Sequence, residues 1–243
     1  MLWPDTFTDN FDPQIARDAV TVLEHAGFTV HLPDRGACCG LTWISTGQLP
    51  TAKRVLRRTL KILAPELRAG TPIVVLEPSC AAVFRADLPQ LLYGDQDARR
   101  LADQTVTLGE LLHARAPDWH PPQLHGSVLL QPHCHQHAVL KYGAEQAALD
   151  AVGVDVEVLD AGCCGLAGNF GFERGHYEVS VACAEDKLLP AVRRAEPGTL
   201  LVADGFSCRT QVRDLLPGSA PLHTAQMLAA AVHGDSEKGH PKS

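Results

Sequence analysis

The sequence predicts an α/β fold built from two tandem repeated small α/β units, each with a parallel sheet and with cysteines at the C-terminal ends of its strands. Three observations lead there. The tripeptide Cys-Cys-Gly occurs twice, at Cys38-Cys39-Gly40 and at Cys163-Cys164-Gly165. Each copy is followed by a lone cysteine at a similar distance, 41 residues from Cys39 to Cys80 and 44 from Cys164 to Cys208. Helix and strand signals also alternate in the same order around both copies, as in β-α-β units.

The elements follow in order. Leu2-Trp3-Pro4 reads as the end of a first strand and matches Leu130-Gln131-Pro132 in the second half. A start inside a strand leads us to expect a truncated reading frame or a piece of a larger protein. Ala19 to Ala26 reads as a helix stopped by Gly27, followed by an alternating strand from Phe28 to Leu32. The second half repeats this with a helix from Glu145 to Val152, Gly153, and a strand from Val154 to Leu159. A glycine at a helix end followed by an apolar or alternating run is a helix-to-strand signal. After each Cys-Cys-Gly comes a long helical stretch, Leu49 to Leu67 and about Tyr177 to Arg194. Each leads through a Gly/Pro turn into an apolar strand, Ile73 to Leu76 and Leu200 to Val202, that ends just before its lone cysteine.

This places a first repeat at residues 1–116, a linker rich in proline and histidine at 117–126, a second repeat at 127–232 and a polar, disordered tail at 233–243. The 243 residues suffice for real cores. A net charge of -7 argues against a nucleic-acid binder, which needs a basic face. No apolar run approaches the roughly 18 to 20 residues that span a bilayer, and Met1 to Thr8 lacks the layout of a signal peptide. Eight cysteines without an export signal suit a reducing compartment, so the expected location is cytoplasmic, with peripheral association at the inner membrane face compatible with it.

The cysteines carry the chemistry. Adjacent cysteines are awkward disulfide partners and oxidisable as packing residues, so a repeated vicinal pair points to thiolates gathered around an inorganic centre. Aligning the repeats places Cys134, 29 residues before Cys163, opposite Thr6, 32 residues before Cys38. The second half therefore offers four thiolates, Cys134, Cys163, Cys164 and Cys208. The first offers three, Cys38, Cys39 and Cys80. Four thiolates hold a four-iron cluster or a zinc ion. Three leave a coordination position open or mark a relic that binds nothing. Paired Cys-x-x-Cys knuckles typical of structural zinc are absent, as is the closely spaced run of a ferredoxin, and ligands separated by whole β-α units suit iron and sulfide at least as well. Cys183, inside a helical stretch, is read as a small packing residue.

The segments Leu2-Trp3-Pro4-Asp5-Thr6-Phe7, Glu77-Pro78-Ser79-Cys80, His133-Cys134-His135-Gln136, Gly162-Cys163-Cys164-Gly165-Leu166-Ala167-Gly168 and Asp204-Gly205-Phe206-Ser207-Cys208 carry a resemblance. Together they resemble the cysteine-rich CCG domain found in heterodisulfide reductase, in the glycolate oxidase iron–sulfur subunit and in anaerobic glycerol-3-phosphate dehydrogenase, with the closest likeness to the C-terminal module of FAD-linked D-lactate dehydrogenase-type oxidases. The resemblance runs to about Ala231. It implies a 4Fe-4S site that passes electrons between a flavin site and an acceptor. In the fuller form of this domain each lone cysteine is the second of a Cys-x-x-Cys. Here Glu77 and Gly205 fill the earlier place, which argues against a five-cysteine noncubane cluster of the heterodisulfide type.

Several other residues are singled out. His133, His135 and His137 flank Cys134, either tuning or ligating a centre or facing solvent, and His135 is the favoured functional one. Gly162, Gly165, Gly168 and Gly171 do not fit a dinucleotide fingerprint and are expected to let the backbone approach the centre and donate N–H groups to sulfur. His176 and Tyr177 open a helix, as acid–base groups or as ordinary first-turn residues. Arg54, Arg57, Arg58 and Lys61 form a basic stripe, either a solvated face or a docking surface.

The leading functional expectation is an iron–sulfur electron-transfer module of a flavin-linked 2-hydroxyacid oxidoreductase of lactate or glycolate type. No flavin or nicotinamide fingerprint is visible, so FAD belongs to a partner or a missing domain. A flavoprotein dehydrogenase is the expected partner, with a ferredoxin-type domain and a quinone or cytochrome acceptor compatible. The alternatives are a zinc-stabilised interaction module and a thiol–disulfide redox protein, with zinc the alternative occupant of the first repeat.

Overall fold

A computed structural model describes residues 1–167 and 170–238. In the first half the order is β1 (Leu2–Trp3), α1 (Thr6–Asn10), α2 (Pro13–His25), α3 (Leu41–Ser45), α4 (Leu49–Ala69), β2 (Ile73–Val75), α5 (Pro78–Ala82), a π-helical turn at Val83–Asp87, α6 (Leu88–Leu91), α7 (Gln96–Gln104), β3 (Thr105–Val106) and α8 (Leu108–Arg115). The second half runs β4 (Ser127–Leu130), a π-helical turn at Gln136–Leu140, α9 (Gly143–Ala151), β5 (Asp155–Val158), a 3-10 turn at Phe170–Phe172, α10 (Tyr177–Asp186), α11 (Leu188–Arg194), β6 (Leu200–Val202), α12 (Phe206–Leu215) and α13 (Thr224–Lys238). Residues 117–126 hold neither helix nor strand.

The fold is α/β with two small parallel sheets. The first has the order β1-β2-β3 and the second β5-β4-β6, every pairing parallel. The halves match further than these orders suggest. β1 and β2 correspond to β4 and β6, and β3 corresponds to the isolated parallel bridge between Val202 and Leu222. α2 and α9 both stop at a left-handed glycine, Gly27 (φ 88°) and Gly153 (φ 78°), which only a residue without Cβ adopts freely.

Local chemistry sets the boundaries. Asp5 caps α1 by accepting from the Phe7 and Thr8 N–H groups, Pro13 opens α2, and Thr107 and Glu110 form a capping box on α8. The expected strand at Phe28 to Leu32 does not form a ladder. It reaches β1 through a single bond, Leu2 N–H to the His31 carbonyl at 3.0 Å. The next N–H that would face that side belongs to residue 4, a proline with none to give. The expected single helix from about Tyr177 to Arg194 breaks at Lys187 (φ -133°) into α10 and α11. Pro190 lacks the N–H that would bond the carbonyl four residues earlier and crowds that carbonyl. The tail was expected to begin at residue 233, but α13 continues through its first part to Lys238, and residues 239–243 lie outside the described residues.

One core joins the two repeats. Leu2, Ile15, Val22, Val74 and Leu111 from the first half pack with Val128, Leu149, Val202, Met227 and Leu228 from the second. Two equivalent helix pairs, α2 on α13 and α8 on α9, close this core across the halves. The α8–α9 crossing is tight. A Cβ on Gly109 would lie 2.7 Å from the Ala144 carbonyl and the Glu145 nitrogen, so α8 approaches α9 only with glycine there. A separate cluster behind the first sheet contains Trp3 edge-on to Phe84 (5.0 Å between centroids), with Leu56, Leu63 and Ile73.

Candidate metal centre

Each half brings its cysteines together beyond the C-terminal ends of its strands, where open parallel sheets place their ligands. The loop after β4 carries Cys134, the loop after β5 carries Cys163 and Cys164, and the first turn of α12, directly beyond β6, carries Cys208. The four thiols form a continuous chain of contacts, Cys134 to Cys163, Cys163 to Cys164 and Cys164 to Cys208. In the first half Cys39 Sγ and Cys80 Sγ are 2.9 Å apart, and Cys38 contacts Cys39. All eight cysteines are free thiols. Cys38 and Cys163 are exposed, whereas Cys39, Cys80, Cys164 and Cys208 are buried, so the repeat extends to side-chain exposure.

Backbone N–H groups aim at these sulfurs in the same way in both halves. Gly40 donates to Cys38 at 3.4 Å and Gly165 donates to Cys163 at 3.3 Å. Leu41 and Leu166 donate to Cys39 and Cys164, and His135 donates to Cys134. Such donors stabilise thiolates and the anionic centres that thiolates hold. The glycine expectation therefore holds at Gly165, whose missing Cβ also leaves room for the Ser180 Cα, 2.9 Å from where that Cβ would stand. Gly168 lies outside the described residues.

The two sets differ in electrostatics. Next to Cys134 stands His133, buried; at the aligned position next to Thr6 stands Asp5, also buried. Burial and the neighbouring His135 press the His133 imidazole down to about 4, so it is neutral. Its Nδ1 accepts the His135 N–H at 3.1 Å, which leaves the proton on Nε2. The partner of His133 is Gly205: a Cβ there would lie 2.2 Å from His133 Cδ2. In the first half the aligned pair is Asp5 and Glu77, and burial together with Glu77 raises the Asp5 carboxyl above its usual range. The Cys39 hydrogen bond pulls the Cys80 thiol down, but burial, with Asp5 and Glu77 adding to it, outweighs that bond and leaves Cys80 raised. Carboxylates thus oppose thiolate formation in the first set. In the second, the Cys134 and Cys164 thiols donate to Cys163 and drive it down to about 2, and Cys134 and Cys164 are raised in exchange.

Several participants escaped the sequence reading because each is a lone polar residue without pattern. Arg209, following Cys208, is buried and donates to the Ala203 and Asp204 carbonyls at 2.9 and 2.6 Å, with Asp12 of the first half at 3.5 Å. Asp204 is wholly buried. Burial pushes its carboxyl up, but His223 beside it and the Thr224 N–H and Gln136 amide outweigh burial and hold it below the usual range. Gln136 in turn accepts the His133 N–H at 2.7 Å, tying this network to the Cys134 loop.

The remaining expectations divide. His133, Cys134 and His135 present ligand atoms within 4.8 Å of one another, and His135 Nδ1 and His137 Nε2 are buried without hydrogen-bond partners. His176 stacks on Phe170 (4.0 Å), and the Tyr177 hydroxyl donates to Asp214, so both are engaged in surface contacts at the start of α10. Cys183 is half-buried on α10, with its sulfur 3.3 Å from the point a Cβ on Gly165 would occupy. Arg54, Arg57, Arg58 and Lys61 are exposed along α4.

The family model for the cysteine-rich domain, CCG, matches residues 6–85, a span that contains Cys38, Cys39 and Cys80. That stretch is similar to a CCG cysteine-rich domain. Among curated proteins it is similar to one subunit of the anaerobic glycerol-3-phosphate dehydrogenase of Escherichia coli (strain K12), 26% identical over 85% of this chain and 52% of that one. It is 29% identical to D-2-hydroxyglutarate dehydrogenase of the same organism over 92% of this chain and 22% of that one. It is 25% identical to lactate utilization protein A of Anoxybacillus flavithermus (strain DSM 21510 / WK1) over 84% of this chain and 86% of that one. The chain thus spans about half the length of the first relative and about a fifth of the second. Among the described residues no helix is long and apolar enough to cross a membrane. The CCG resemblance read from the sequence is confirmed, and the CCG repeat beyond residue 85 retains the same N–H-to-sulfur geometry.

Proposed function

We propose that this protein is an iron–sulfur electron-transfer module in which Cys134, Cys163, Cys164 and Cys208 hold a 4Fe-4S cluster. It passes electrons from a flavin-linked 2-hydroxyacid dehydrogenase, as partner or as a domain of the same polypeptide, to a further acceptor. The observation that carries this reading is the convergence of four thiols from three separate segments, with N–H donors aimed at three of them. Two relatives named as dehydrogenases or dehydrogenase subunits, and a third named for lactate utilization, support the same direction.

Bound iron and sulfide would supply one-electron chemistry; the protein's part is to hold and tune it. Exposed Cys163 brings the centre to the surface, where a partner has access, and buried Cys164 and Cys208 anchor it. Gly165, Leu166 and His135 donate N–H groups to the sulfurs, and the buried Arg209 guanidinium offsets negative charge beside Cys208. The set Cys38, Cys39 and Cys80 lacks a fourth thiol and faces Asp5 and Glu77, so it serves as scaffold or as a weaker site with zinc as its occupant.

The test is metal analysis of anaerobically prepared wild type beside Cys164→Ala. Brown wild-type protein with iron and sulfide, an EPR signal on a change of redox state, and loss of both in the variant are expected. Colourless protein with stoichiometric zinc on the second set, or metal-free protein with one fast-reacting thiol pair, would overturn the reading. Without a flavoprotein the chain should oxidise no hydroxyacid.

A further inference from the structure

Between the two cysteine sets, where the repeats meet, lies a cavity of about 10 Å³, the volume that one water centre needs. Its polar wall is formed by Thr107, Gln136, Glu145, Asp204, His223 and Thr224, and its apolar wall by Val75, Leu76, Pro78 and Leu108. Glu145 is 3% exposed; its carboxylate accepts from the Thr107 side chain and from its own backbone N–H, but Oε1 has no hydrogen-bond partner. A buried carboxylate oxygen without a donor is costly, so a group that donates to it, a water or a bound proton, is called for. Gly109 puts it there, because the close α8–α9 crossing sets Thr107 and Glu110 beside the first turn of α9.

The cavity connects to the second thiol set through one side chain. The Gln136 amide donates to Asp204 Oδ2 at 3.0 Å and its oxygen accepts the His133 N–H at 2.7 Å, one residue before Cys134. Around Glu145 the charged groups are Asp204 beyond β6 and Glu110 in α8, the latter paired with Arg85. His223 lies just before α13, and the acids of β5, Asp155 and Glu157, face solvent. Burial first, then Asp204, raises the Glu145 carboxyl to about 7, where it changes protonation at neutral pH.

We propose that Glu145 is the proton acceptor of the second thiolate centre, taking up one proton through a single water in this cavity for each electron that reaches Cys134, Cys163, Cys164 and Cys208. The inference rests on the electron-transfer reading above. The electron comes from a reduced flavin, or from dithionite in the test. The proton comes from solvent through the cavity water and forms one O–H bond at Glu145 Oε1. The carboxylate charge disappears as the charge of the reduced centre appears, so buried net charge stays constant. By linkage, a proton on Glu145 then favours reduction as much as reduction favours the proton.

The experiment is potentiometric titration of the full chain, anaerobically reconstituted with iron and sulfide, at several pH values between about 6 and 8.5. The wild-type midpoint is expected to flatten toward about pH 6, where Glu145 already holds its proton, and to fall as pH rises above about 7, with a slope approaching about 59 mV per unit, the value for one proton per electron. Glu145→Gln should take up the same iron and lose the slope, and Glu145→Asp should keep part of it. A second readout needs no metal: the metal-free protein should show an infrared carboxyl band that titrates near neutral pH and is missing from Glu145→Gln. Iron-loaded protein with a flat potential, a variant that keeps the wild-type slope, or the absence of that band would each overturn this proposal alone. Protein that binds no iron would overturn the electron-transfer reading and this inference with it.

Discussion

Glu77 Oε2 accepts the backbone N–H of Phe206 at 2.9 Å, a bond that ties the first cysteine set to the second. Glu77 lies three residues before Cys80, and Phe206 two residues before Cys208. The other oxygen of Glu77 accepts from the Ser79 hydroxyl and N–H, so the carboxylate caps α5 and the start of α12 together. Glu77 therefore takes a cysteine position of the fuller domain and turns it into a cross-repeat bracket. Glu77→Ala leaves buried donors unpaired and should destabilise the protein by about 1–3 kcal/mol, read as a lower urea midpoint. Glu77→Gln, which keeps an acceptor, should lose less. Equal midpoints for wild type and Glu77→Ala would show that the bracket contributes nothing.

The matching position in the second repeat is filled by absence. Gly205 has no side chain because His133 Cδ2 stands 2.2 Å from where its Cβ would be. Gly205→Ala should push the His133 ring off the Cys134 loop, at a cost of about 1–3 kcal/mol, and weaken metal retention by the second set. The double variant Gly205→Ala with His133→Ala should regain most of the lost stability. A double variant no more stable than Gly205→Ala would mean that the clash is relieved elsewhere.

The symmetry of the molecule was legible because it is carried by residues with strong local meaning: Cys-Cys-Gly, the helix-stopping Gly27 and Gly153, and the apolar strands before Cys80 and Cys208. The alternation at 28–32 describes which face is buried, while a ladder also needs donors on the facing strand, and Pro4 removes one. The apolar pattern over 177–194 reads as one helix, but Pro190 cannot donate to the carbonyl four residues earlier, and the helix breaks at Lys187. Glu145, Asp204, Gln136 and Arg209 had no motif to announce them, since their importance arises only where α8, α9, α12 and the β6 loop meet. Asp5 against His133 was within reach, because the alignment that set Thr6 opposite Cys134 sets these two opposite each other as well.

That alignment separates the two cysteine sets experimentally. Cys39→Ala removes a buried thiol from the set surrounded by Asp5 and Glu77 and should leave the iron of the second set in place. Cys208→Ala, on α12, should abolish iron binding while leaving circular dichroism near wild type in a matched metal-free comparison. Iron loss on Cys39→Ala with retention on Cys208→Ala would reverse the assignment of the sets.

The α8–α9 crossing gives a prediction that needs no metal. A methyl on Gly109 has backbone atoms, not a flexible side chain, 2.7 Å away, so Gly109→Ala must spread the helices and should cost about 1–3 kcal/mol in urea unfolding. An unchanged urea midpoint would show that the crossing yields without cost.

Glu145 should also leave a mark on the stability of the metal-free protein. Its carboxyl is raised to about 7 in the folded chain from 4.5. Between those values the folded state holds a proton that the unfolded state has released. Its contribution to stability is therefore fully present below the unfolded value and declines as pH rises toward 7, with a limiting slope of about 1.4 kcal/mol per pH unit. Above that range both states are ionised and the decline stops. Chemical denaturation under reductant across this interval should show the wild type losing stability relative to Glu145→Gln as pH rises. Parallel curves for the two proteins would place the Glu145 carboxyl at an ordinary value and remove the buried proton.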